Sequence, residues 1–129
     1  MTPKLSVVQI VTNDIDASLA FYRRLGLAVP EDLTDKSHVA YELPGGMSIS
    51  WDPVETVKSF DPDFTMPTGS GLALAFDCAT PAGVDEIFCD LMDAGYQAKH
   101  KPWDAFWGMR YATVLDPDGY GVDLFAPLK

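Results

Sequence analysis

Two stretches of this chain run through the same order of patterns, and that repeat limits the possible folds more than any other feature. The first stretch opens with the β-rich run LSVVQIVT. Asn13 and Asp14 then offer a helix cap, and Ile15, Leu19, Tyr22 and Leu25 fall on one helical stripe. Arg23 and Arg24 suit the last turn, and Gly26 ends it. Short strands follow: a stub at Leu27–Val29, then SHVAYEL, then MSISW across the Pro44-Gly45-Gly46 turn. The second stretch opens with GLALAFD. Thr80 is a cap and Pro81 suits the first helical position. Val84, Ile87, Phe88 and Leu91 share a helix face that ends at Gly95, and YQAKH, MRYATVLD and GVDLFA read as strands. Gly26 and Gly95 stand 69 residues apart, and the two hairpin turns about 73.

Each half thus reads β-α-β-β-β. The predicted fold class is α+β, with two βαβββ modules forming cup-shaped mixed sheets and the helices on the outer face. Module one spans about residues 1–52 and module two residues 71–129. Between them lies a connection, 53–70, with Pro53, Pro62 and Pro67 and no clear period.

Charge narrows the function. The chain has 19 acids against 9 bases, a net charge of −10, and phosphate binding rests on Lys and Arg. Nucleic acid and anionic lipid are therefore excluded as partners. No apolar run approaches a membrane span, and the N-terminal residues lack a signal peptide's layout, so a cytoplasmic location is expected. Cys78 and Cys89 are too few for a disulfide framework, and are expected to be reduced thiols.

Strand parity sorts the side chains into two faces. Val39, Tyr41, Leu43, Met47, Ile49, Trp51, Val122 and Leu124 form an apolar set suited to lie under the helices. The opposite face then carries Gln9, His38, Glu42, Ser48, Ser50, Asp77 and Asp123. A second concentration lies in PWDAFWGMRY, where Trp103, Phe106, Trp107 and Tyr111 fall within nine residues, bracketed as a loop by Pro102 and Gly108. Trp and Tyr offer flat contact area with a polar handle, and attract cations over a ring face. The same cluster also suits a loop that covers a sheet end or packs in a dimer interface. Arg110 lies just past it, within reach of Asp123 or of a ligand anion, with its face unsettled by parity. Asp123, placed inward with no cationic neighbour in sequence, calls for a partner, a ligand or water. Asp116-Pro117-Asp118-Gly119 is a turn by composition. Ser48 and Ser50 have no His–acid pair at triad spacing.

VVQIVTNDIDASLAFYRRLG, the Gly45-Gly46 hairpin and PWDAFWGMRYATVLDPDGYGVDLFAP together resemble the vicinal-oxygen-chelate superfamily. This group contains glyoxalase I, extradiol dioxygenases and bleomycin-type resistance proteins. The resemblance spans nearly the whole chain, and implies two βαβββ modules and a homodimer. In metal-using members it implies one ligand on the first and one on the last strand of each module. Counted from the motifs, those positions fall on Val7, Ser50, Ala73 and Asp123, and one carboxylate does not hold a catalytic metal. The expectation is a binding protein with neither metal nor other cofactor and no catalytic residue. It would sequester a small molecule that is planar or cationic, such as an antibiotic, through Gln9, His38, Glu42, Ser50, Trp103, Phe106, Trp107, Arg110, Tyr111 and Asp123. The alternative is a metal-dependent lyase, isomerase or dioxygenase of the same superfamily, or an enzyme with Asp123 or Glu42 as general base.

Overall fold

The computed structural model describes residues 1–129 and divides between Met66 and Pro67 into two units. In the first, strand β1 (Val7–Thr12) leads into helix α1 (Ile15–Arg24). Asp14 caps α1, its carboxylate accepting from Ala17 N at 3.1 Å. The buried face of α1 is Ser18, Leu19, Phe21 and Tyr22, and the Tyr22 ring meets Trp51 at 5.8 Å between centroids. Strands β2 (Val39–Glu42) and β3 (Ser48–Pro53) complete a sheet of order β1-β3-β2, with β1 parallel to β3 and β2 antiparallel to it.

Two expectations change here. The stub at Leu27–Val29 is not a strand, so this module has three strands rather than four. Its end is held by a side chain instead of a ladder: Arg23 donates from Nε to Val29 O at 2.8 Å, and from its terminal nitrogen to the next carbonyl, Pro30 O, while Leu27 O accepts from Val29 N at 2.9 Å. The connection also holds regular structure. Helix α2 (Val54–Lys58) follows β3 directly and buries Val57. It is too short to show a hydrophobic period in sequence.

In the second unit, strand β4 (Leu74–Asp77) precedes helix α3 (Pro81–Asp93), capped by Thr80 accepting from Gly83 N at 2.9 Å. Strands β5 (Gln97–Ala105), β6 (Met109–Leu115) and β7 (Gly121–Pro127) follow, in sheet order β4-β7-β6-β5. Helix α3 lies over β5, β6 and β7 and buries Val84, Phe88 and Leu91. Beneath it Ala112, Val114, Val122, Leu124 and Ala126 are fully buried. The β6–β7 turn is built by Asp116, whose Oδ1 accepts from Asp118 N and Tyr120 N, both at 2.9 Å. Asp116 is thus structural in the way the composition indicates.

A further correction concerns the aromatic stretch. Rather than forming a loop from Pro102, it is strand as far as Ala105, and only Phe106–Gly108 makes the turn. Proline is admitted because β5 is an edge strand with register shifts between Ala98 and His100 and between His100 and Trp103. Cys78 and Cys89 are free thiols, one buried and one exposed. No helix is long and apolar enough to cross a membrane.

Candidate functional site

Each sheet has a polar face opposite its helix, and side-by-side register shows which residues share it. In the first unit Gln9 stands beside Ser50 and Ser50 beside Ala40, while Ser48 lies between Val7 and Glu42. Asp52, beside Val11, continues the row. Gln9, Glu42 and Ser50 therefore share a face as expected, with Ser50 buried and Gln9 and Glu42 exposed. His38 reaches the same face from the residue before β2. Asp52 joins these groups: its Oδ1 lies 2.5 Å from His38 Nδ1, and its Oδ2 accepts from Gln9 Nε2. Parity alone gives Asp52 the face of Ser50, but the WDP sequence reads as the end of a strand, so it escaped notice.

In the second unit Asp123 lies beside Ala75 on one side and Thr113 on the other, and Thr113 faces His100. One row along, about 7 Å away, Phe125, Tyr111 and Trp103 are neighbours. Asp123 accepts from Tyr111 Oη at 2.5 Å and from Thr113 Oγ1 at 2.8 Å. Burial, with the Asp123 carboxylate adding to it, pushes the Tyr111 phenol up to about 12. Tyr111 is thus a hydrogen-bond donor at neutral pH.

Arg110 takes the other face. Its guanidinium pairs with Asp85 on α3 and with Asp104 on β5, each at 3.0 Å. Neither the Arg110–Asp123 pair nor a ligand contact from Arg110 on the polar face forms. The cause is pleat: Arg110 is an odd number of residues from Tyr111 and Thr113, so it points under α3.

Beside Asp123 is a cavity of about 250 Å³ lined by Ser70, Gly71, Leu72, Ala73, Lys99, His100, Thr113, Gly121 and Asp123. The β5 irregularity lets two consecutive residues, Lys99 and His100, line it together, which a regular strand forbids. Sequence parity assumes a regular strand and therefore missed both. Their side chains make no hydrogen bond or ion pair within the chain. Next to this cavity stand the aromatics. Trp107 is the hub, edge-on to Trp103 at 5.4 Å, to Phe106 at 4.9 Å and to Tyr111 at 5.2 Å. Trp103 and Trp107 are 41% and 47% exposed and Phe106 is 91% exposed. Large aromatic area is thus left in solvent on one face.

The residues do not fit a catalytic metal. Register places Gln9 beside Ser50 and Ala75 beside Asp123, so the counted positions Val7 and Ala73 are displaced by two residues. Either set supplies a single carboxylate, and both its oxygens already accept hydrogen bonds. No group of three or more His, Cys, Asp or Glu stands close enough to hold an ion.

Two βα modules with these sheet orders define the class of fold, and the comparisons agree. Residues 4–124 match the model of the Glyoxalase/Bleomycin resistance protein/Dioxygenase superfamily. The chain belongs to that family. It is similar in structure to a glyoxalase/bleomycin resistance protein/dioxygenase family enzyme from Burkholderia phytofirmans PsJN, with a TM-score of 0.84 and 25% identity, covering 98% of this chain and 100% of that one. A glyoxalase/bleomycin resistance protein/dioxygenase from Nocardioides gives a TM-score of 0.77 at 22% identity, covering 100% and 86%. A curated relative from Rhizobium meliloti (strain 1021), named "Putative sugar lactone lactonase", is 35% identical over 66 residues. That match covers 51% of this chain and only 20% of the relative's length.

Proposed function

We propose that the protein is a small-molecule-binding member of this family, taking a flat aromatic compound on the polar face of the second unit. The ring rests on Trp103, Trp107 and Tyr111, and the polar end enters the cavity at Asp123. The observation that carries this is the placement of an exposed edge-to-face aromatic cluster one row from a 250 Å³ cavity whose Lys99 and His100 have no partner. Aromatic contacts of this kind contribute about 0.5–1.5 kcal/mol beyond area burial.

The charge of the ligand follows from the same lining. Asp123 is the acid at the cavity, and its two oxygens are engaged by Tyr111 and Thr113. Lys99 supplies an uncommitted cation. This favours an acidic or hydrogen-bond-accepting end over the cation that the overall charge suggests, since most of the acids lie elsewhere. Glu86, Asp90 and Asp93, for instance, are exposed on and beside α3.

Calorimetric titration with planar aromatic acids and planar aromatic amines tests the reading. Saturable binding of at least one series, weakened about tenfold or more by Trp107→Ala, supports it. Absence of binding in both series overturns it.

A further inference from the structure

The first unit carries a second arrangement that the binding reading does not use. Asp52 is almost closed to solvent, its side chain 6% exposed, whereas the His38 imidazole 2.5 Å away is 59% exposed. A carboxylate only accepts, so His38 donates from Nδ1, and in the neutral imidazole Nε2 carries the lone pair. Gln9 Nε2 takes the other oxygen of Asp52, so the carboxylate is held at both ends from β1 and from the residue before β2. The backbone ahead of His38 is fixed as well. Asp35 accepts from Ser37 N at 2.9 Å and from Ser37 Oγ at 2.7 Å, and those bonds hold the Asp35 carboxyl below its usual range. Thr56 Oγ1 donates to Ser37 O at 2.6 Å, tying the segment to α2. Val39, the next residue, is buried.

A surface ion pair needs none of this support, because it contributes little and tolerates a mobile ring. A fixed imidazole with a carboxylate at Nδ1 and an open Nε2 is what general acid–base catalysis requires. From this geometry we infer that His38, oriented by Asp52 and Gln9, is a general acid–base site for hydrolysis, with an activated ester as its probe. His38 Nε2 takes a proton from water as the water oxygen bonds to the ester carbonyl carbon. The carbon–oxygen bond to the leaving alkoxide then breaks, and the imidazolium returns the proton to that oxygen. Asp52 stabilises the imidazolium in between. The groups facing the ring are Asp52 from β3 and Gln9 from β1. On β2, Glu42 shares the sheet face but lies four residues along, about 13 Å away.

The test is hydrolysis of 4-nitrophenyl acetate by the full chain, combined with two-bond proton–nitrogen NMR on the ¹⁵N-labelled protein. We expect hydrolysis well above that of imidazole at equal concentration. His38→Gln should bring it to the buffer rate. Asp52→Asn should lower kcat/KM at least tenfold. The NMR spectrum should show His38 as the Nδ1–H form, with that preference lost in Asp52→Asn. Hydrolysis no faster than imidazole, full activity in His38→Gln, or an Nε2–H form in the native protein each overturns the inference. Native-like amide spectra of both variants ensure that a loss of activity is not a loss of fold.

Discussion

Asp52 and Asp123 sit on the last strand of their units, each with both carboxylate oxygens engaged, yet the two sites offer different chemistry. The donors to Asp123 are two hydroxyls on the neighbouring strand, Tyr111 and Thr113. Each spends its only hydrogen on the carboxylate, so that site orders side chains and shapes a cavity. One donor to Asp52 is an imidazole, whose second nitrogen carries the effect of the carboxylate out to solvent. One residue type on the last strand of each unit thus supports a recess in one and a reactive group in the other, and the donor decides which.

Removing each carboxylate separates the two roles most strongly. Asp123→Ala leaves the buried Thr113 hydroxyl and the Tyr111 phenol without an acceptor, and orphaned buried groups cost about 1–3 kcal/mol each. Destabilisation of about 2–4 kcal/mol in urea unfolding is expected. Asp52→Ala should cost about 1–2 kcal/mol, because exposed Gln9 and His38 can turn to water. A larger loss for Asp52 would show that its role is structural and would undo the contrast.

The helices give the next test. The third helical residue is Ala17 in α1 and Gly83 in α3. A Cβ on Gly83 would stand 2.3 Å from the backbone oxygen of Cys78, and backbone does not yield. Gly83→Ala should therefore destabilise by about 1–3 kcal/mol, although alanine is the better helix former by about 1 kcal/mol. A stabilised variant would mean that the end of β4 moves freely away from α3.

How much of this was legible in the sequence follows local periodicity. Caps, helix stripes and the parity of MSISW and GVDLFA depend on neighbours a few residues apart, so both long helices and the two polar faces were readable. What failed needs non-local information. The stub at Leu27–Val29 has strand composition, but its last carbonyl is taken by Arg23 and Leu27 O by Val29 N. The irregular β5 turns Lys99 and His100 to one cavity, and Asp52 gains meaning only from Gln9 and His38, 43 and 14 residues away. Counting from motifs likewise put Val7 and Ala73 where register puts Gln9 and Ala75.

Tyr111→Phe sharpens the contrast on the Asp123 side. It removes one hydrogen bond to a carboxylate at a cost of about 1.5–3 kcal/mol, and leaves the aromatic cluster intact. The phenol titrates near 12 in the folded chain against about 10 when unfolded. Its contribution is therefore fully present below pH 10 and fades as pH rises toward 12. In alkaline unfolding series, the native protein should lose more stability across that window than Tyr111→Phe. Parallel losses would separate the phenol from Asp123.

The smallest effect expected is also the sharpest check on which face is which. Arg110 is 25% exposed and bridges α3 and β5 through Asp85 and Asp104. Such a partly solvated pair contributes about 0–1 kcal/mol and weakens with salt. Arg110→Met, which keeps most of the apolar stem, should lower stability by no more than that, with the difference shrinking in high salt. Because the side chain points under α3, binding of a planar aromatic acid should change less than twofold, against a tenfold loss for Lys99→Met at the cavity. If Arg110→Met and Lys99→Met weaken binding equally, the acid is held by the field of both cations rather than by the cavity, and the division of this sheet into a helix face and a ligand face no longer accounts for recognition.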